Sequence, residues 1–152
     1  MPTIVNSKEN FEALVGEHLG YSEWHVITQE QVNQFADATG DHQWIHVDPE
    51  RAKSGPFGGA IAHGYLTLSL APSLLGEVVK VEGTTHGVNY GCNKVRFPSP
   101  VPVGSKLRLG AKVASVEEAK GGGIQVCIDL AFEVEGSDKP TCVAEVVYRY
   151  YY

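Results

Sequence analysis

An α+β fold, in which a long antiparallel sheet wraps around one mostly buried helix, is the class this sequence predicts. Three patterns predict it. Helix signals dominate the first half, the run from Gly64 to Val79 is apolar on nearly every side, and from Leu107 onward apolar residues alternate at period two. The 152 residues suit one domain, spanning 1–152, with no visible repeat or linker.

Ser7 opens a short helical pattern with Phe11, Leu14 and Val15 on one face. A second helix is predicted from Thr28. Thr28 and Gln31 have capping-box spacing, Ile27 and Val32 can form a hydrophobic staple, Val32, Phe35 and Ala36 make the buried stripe, and Gly40 ends it. Asp48-Pro49-Glu50 starts a third, short helix over Arg51 to Lys53, with Asp48 as cap and Pro49 preset for the first turn. Gly55, Pro56, Gly58 and Gly59 then make a loop.

The helix predicted from Gly64 to Val79 is apolar all round, which calls for burial on most faces, and Pro72 should kink it. Strands follow. A segment from Thr85 to Phe97 leads into Leu107, Leu109, Ala111 and Val113, then Ile124 to Val134, then Cys142 to Tyr150, with Gly121-Gly122-Gly123 marking a hairpin.

Eighteen acidic against twelve basic residues give a net charge of -6, and no basic run offers a stripe for a phosphate backbone, so nucleic acid is not an expected partner. No stretch reaches the roughly 18 apolar residues of a membrane-spanning helix. The first residues lack the features of a signal or transit peptide, so a cytoplasmic location is expected. Cys92, Cys127 and Cys142 are odd in number and lack CxxC spacing, which reads as free thiols.

Thr39-Gly40-Asp41-His42-Gln43-Trp44-Ile45-His46 places one carboxylate and two imidazoles in a predicted loop between helices. A carboxylate and an imidazole that converge can each accept or return a proton of one water, which makes Asp41 and His46 the candidate catalytic pair. Ala62-His63-Gly64 stands at the entrance to the buried helix. The first turn of a helix leaves N–H groups free, and a glycine lets a carbonyl oxygen approach the backbone, so Gly64 is a candidate oxyanion donor.

The run from Thr39 to Pro49, followed by Ala62-His63-Gly64, resembles the hydratase signature of the MaoC-like family of R-specific enoyl-CoA hydratases and dehydratases. The similarity covers most of the chain and continues through Val95-Arg96-Phe97 to Gly104. The resemblance implies a hot-dog fold acting as a homodimer on an acyl-CoA substrate, with reversible addition of water to a trans-2-enoyl thioester. It implies catalysis by Asp41 and His46, substrate or oxyanion contacts from Gly64, Gln43, His63 and Arg96, and no metal or redox cofactor. Lys94 and Arg108 are further candidates for the phosphates of CoA. The signature commonly has Asn and Pro where this chain has Gln43 and Trp44.

Two other functions share this scaffold: a thioesterase that directs water at the carbonyl, and a non-catalytic acyl-CoA binding module. A metal site from His42 and His46, together with Asp41 and His63, is not expected, because the His42–His46 pair lies in a predicted loop rather than on one helix face. His18, His25 and His86 are expected to be structural. The glycine-rich loop at 55–59 lacks a following Lys-Ser or Lys-Thr and reads as a flap over an acyl chain, not as a nucleotide cradle. The aromatic end, Tyr148 to Tyr152, reads as strand packing or a dimer contact.

Overall fold

A computed structural model describes residues 1–152. The N-terminal half holds β1 (Thr3–Val5), α1 (Lys8–Ala13), β2 (His18–Tyr21), β3 (His25–Val26), α2 (Gln29–Thr39), α3 (Trp44–Val47) and α4 (Pro49–Lys53). Three of its helices start where the side chains dictate. Ser7 accepts from the Asn10 N–H, Thr28 from the Gln31 N–H and Asp48 from the Arg51 N–H, each satisfying a donor that the first turn leaves free. Gly40 closes α2 with φ of 83°, a left-handed turn that glycine adopts without strain.

The buried helix departs from expectation. It is two segments, α5 (Gly64–Ser69) and α6 (Ala71–Leu75), joined at Leu70, and it stops short of Val79, which begins β4 (Val79–Val81). Pro72 falls in the first turn of α6, where its missing N–H costs little, so the break lies just before it. Most of its faces are covered, as expected. Leu66, Thr67, Ala71, Leu74 and Leu75 are buried, whereas Tyr65 is 70% exposed.

The second half is the sheet: β5 (His86–Arg96), β6 (Lys106–Ala119), β7 (Gly123–Val134) and β8 (Cys142–Tyr151). Its order is β2-β6-β7-β8-β5, with β3 also on β6, and all of these pairings are antiparallel. The short β2 and β3, and the small parallel pair of β1 with β4, interrupt the expected run of helices. Gly121 and Gly122, both with φ above 80°, turn β6 into β7.

Alternation sends Leu107, Leu109, Ala111 and Val113 of β6, Val126, Ile128, Leu130 and Phe132 of β7, and Cys142, Ala144, Val146 and Tyr148 of β8 into one core with α5 and α6. Fully buried Leu109 and Phe132 each contribute about 1.5–3 kcal/mol relative to exposure. This is the hot-dog arrangement, a sheet curled around a central helix. One strand escapes the pattern: β5 pairs only with β8, and all of its residues are exposed except the half-buried Val95. No helix is long and apolar enough to cross a membrane.

Candidate active site

Where α2 ends, the left-handed Gly40 turns the chain into Asp41. The Asp41 N–H donates to Thr39 Oγ1 at 3.4 Å, and Asp41 Oδ1 accepts the Gln43 N–H at 3.3 Å, a local turn that holds an otherwise exposed carboxylate. The predicted loop tightens into a single helical turn, α3, and this turn carries His46 inward until the residue is only 6% exposed. Trp44 occupies the first position of α3, the position that proline favours, so the backbone there is the one the family's proline would supply. Its ring has a further use: the Arg51 guanidinium lies 4.3 Å over it, and Gly55 packs so close that a Cβ there would come within 2.9 Å of the indole.

His46 donates Nδ1–H to the carbonyl of Ile61 at 2.7 Å. The carbonyl is fixed in turn, since the Ile61 N–H donates to Ile45, the Ala62 N–H to Val101, and the Val103 N–H to Ala60. Gln29 Nε2 holds the carbonyl of His46 itself at 2.8 Å. A neutral imidazole has one N–H, so this bond leaves Nε2 as an acceptor. The Ile61 carbonyl carried no signal in the sequence, because any residue type supplies one.

His63 caps α5, and its carbonyl accepts the N–H groups of Leu66 and Thr67. The N–H groups of Gly64 and Tyr65 have no partner within the chain. Phe97 lies against Gly64, where an added Cβ would sit 3.0 Å from its ring. His46, Gly64, Phe57, Thr67, Phe97 and Thr141 line a cavity of about 340 Å³. Phe57 comes from the glycine-rich loop, which therefore borders the cavity as a flap would.

The fold thus gathers most of the sequence candidates. Asp41, His46 and His63 each offer an atom within 4.8 Å of the others, and Gly64 borders the same cavity as His46. The rings of His46 and His63 are stacked, with centroids 3.9 Å apart and planes 24° from parallel. Stacked rings aim their in-plane lone pairs side by side rather than at a common point, a poor arrangement for a metal ion. His42 turns away and pairs with Asp37 at 3.0 Å, a hydrogen bond that raises its pKa above the ordinary histidine value.

Gln43 contributes its backbone N–H to Asp41, and its side chain is exposed. Arg96 ends β5 beside Phe97 and donates to its neighbour's carbonyl at 2.7 Å. Arg108 is occupied elsewhere: it pairs with Glu133 at 2.9 Å and lies over Tyr21 and Trp24. Lys94 borders a separate cavity with His18 and Asp129. His18, His25 and His86 lie outside this group, with hydrogen-bond partners in the Gly20 N–H, Glu77 and Thr85.

Residues 10–130 match the family model for the MaoC-like domain. This chain belongs to the MaoC-like family. It is 55% identical over 144 residues, covering 95% of each chain, to a Mycobacterium tuberculosis protein named 3-hydroxyacyl-thioester dehydratase Z. It is 41% identical over 140 residues to nodulation protein N of Rhizobium meliloti, covering 91% of this chain and 87% of that one. Among solved structures, the (R)-hydratase from A. caviae involved in PHA biosynthesis superposes with a TM-score of 0.72 at 25% identity, covering 88% of this chain and 94% of that one. The monoamine oxidase regulatory protein of Archaeoglobus fulgius, at 24% identity and a TM-score of 0.76, shares the fold over 93% of this chain and 94% of its own.

Proposed function

We propose that this protein is an R-specific enoyl-CoA hydratase, equally a 3-hydroxyacyl-CoA dehydratase, a hydro-lyase that adds water to, or removes it from, an acyl thioester. The observation that carries the reading is the convergence of Asp41 with His46, whose Nε2 is left free to accept, beside a cavity that also meets the unpartnered N–H of Gly64. The 55% identity to a named thioester dehydratase supports it.

In this reading the thioester oxygen of a trans-2-enoyl substrate accepts the Gly64 N–H, which draws electron density from the β-carbon. His46 Nε2 takes a proton from water as the water oxygen bonds that carbon, and Asp41 holds the other hydrogen and so fixes the angle of attack. The electron pair of the double bond moves onto the thioester oxygen as an enolate. Its collapse takes up a proton at the α-carbon from the Asp41–His46 pair, so every atom of the water ends in the 3-hydroxyacyl product. The step makes one C–O and one C–H bond in place of an O–H bond and the π bond, with no net change of oxidation state, and calls on no redox cofactor. Arg96, exposed at the end of β5, is the residue we assign to a CoA phosphate, and Gln43 supports the loop that holds the pair.

A homodimer accompanies this function. β5 presents its free edge, and the large apolar side chains of Val88 and Tyr90 on it are exposed. An open edge flanked by apolar side chains is what a second copy covers. Hydration of crotonyl-CoA, followed as loss of the conjugated thioester absorbance with chiral analysis of the product, tests the activity. Release of free CoA thiol without hydroxyacyl product would assign the site to a thioesterase instead.

A further inference from the structure

The feature the proposed chemistry leaves unexplained is His63. It is 3% exposed, and its Nδ1 is a buried polar atom with no hydrogen-bond partner. Such orphans are rare in folded proteins and ask for a reason. An apolar ring in that place would carry no such cost.

The surroundings of the ring supply the reason. His63 Nε2–H donates to the backbone carbonyl of Asp41 at 2.9 Å, reaching across twenty-two positions of sequence. One face stacks on His46 at 3.9 Å, and Phe35 of α2 packs on the ring at 4.9 Å. The one ring therefore touches both members of the reacting pair, holding the main chain of Asp41 through a directional bond and the imidazole of His46 through its plane. The unpartnered Nδ1 follows: the proton must sit on Nε2 to reach the Asp41 carbonyl, and the opposite nitrogen is left facing a packed interior.

We infer that His63 is the positioning residue of this site, a buried brace that sets the separation and angle between Asp41 and His46 without touching substrate. The proposal rests on the hydratase reading, so its test includes a readout that involves no substrate. His63→Phe keeps a flat ring for stacking but removes the donor. His63→Gln keeps a donor near the Nε2 position but removes the ring stack.

For His63→Phe the expected result is a kcat lower by on the order of 10- to 100-fold with KM changed less than about twofold, as displacement of reacting groups by about an ångström produces. His63→Gln should recover much of that loss. In imidazole nitrogen NMR of the substrate-free protein, His46 should be the Nδ1–H tautomer and His63 the Nε2–H tautomer. The His46 resonances should shift in His63→Phe while the thermal melt stays close to that of the parent.

A wild-type kcat in His63→Phe would overturn the proposal. So would a His63→Gln no better than His63→Phe, or a His63 proton on Nδ1 in the parent protein. If the parent hydrates no enoyl thioester, the hydratase reading fails. The brace would still stand or fall on the tautomers and on the response of His46, which need no turnover.

Discussion

His46 gives its Nδ1–H to the carbonyl of Ile61 across 2.7 Å, and that one bond decides which nitrogen of the ring is left to accept a proton. His46→Asn tests it. The asparagine amide can take the place of Nδ1 and keep the bond to Ile61, but it offers no basic atom toward the cavity. Turnover should fall about 10²- to 10⁴-fold, the usual worth of a positioned acid–base group, with the melting temperature nearly unchanged. His46→Ala should instead lose about 1–3 kcal/mol of stability as well, because it strands a buried carbonyl. Steady-state kinetics alongside thermal melts separate the two, and an active His46→Asn would remove the imidazole from the mechanism.

Asp41 sits at the opposite extreme of burial. Its carboxylate is exposed and accepts only the Gln43 N–H, so Asp41→Asn should alter stability by no more than about 0.5 kcal/mol while reducing kcat by a factor comparable to that of His46→Asn. Comparable kcat in mutant and parent would exclude the carboxylate from proton transfer.

Gly64 is constrained by space rather than by backbone angle, since it is not among the glycines with positive φ. A methyl group there would meet Phe97 at 3.0 Å. Gly64→Ala should leave the fold intact, because Phe97 is 42% exposed and able to give way, yet block approach of the thioester oxygen and lower kcat about 10²- to 10³-fold. Adding Phe97→Ala should not restore activity. If it does, the obstruction lay in Phe97 and not in access to the N–H.

Trp44→Pro places at the start of α3 the residue that the family signature commonly carries. Proline suits the first helical position, so α3 and kcat should survive. The indole, however, also packs on Gly55 and under Arg51, and without it the loop that carries Phe57 loses its anchor. A raised KM and faster proteolysis near residues 55–59 are the expected signs, and an unchanged KM would show that the indole does not secure the loop.

Alkaline pH should weaken the fold through Tyr148. Burial, with a smaller contribution from Cys92, pushes its phenol up to about 12, and burial pushes the Cys142 thiol up to about 11. In the unfolded chain both groups ionise at lower pH, so below about pH 8.5 for the thiol and about pH 10 for the phenol their full contribution is present. It is then lost as pH rises through the folded values. Urea midpoints should drop between pH 9 and pH 12, and Tyr148→Phe should flatten the upper part of that fall.

The strands of the second half were legible because one face of β6, β7 and β8 is buried, and burial imposes period two on the sequence. The caps Ser7, Thr28 and Asp48 were legible because their chemistry is local. The end of the central helix was not. Val78 and Val79 continue its apolar run, but β4 takes Val79 into a parallel pairing with Thr3, a partner far away in sequence. In the site, Asp41, His46 and Gly64 stood out by residue type and spacing. The stack of His46 on His63, the Ile61 carbonyl and the wall formed by Phe97 depend on tertiary packing, which leaves no mark at those positions.

β5 is bonded on one side and bare on the other. With a second copy seated on that side, unfolding releases two chains where one particle stood, and mass action enters the stability of the protein. Its melting temperature should then climb as the solution is made more concentrated, and extreme dilution should cost it structure before any denaturant is added.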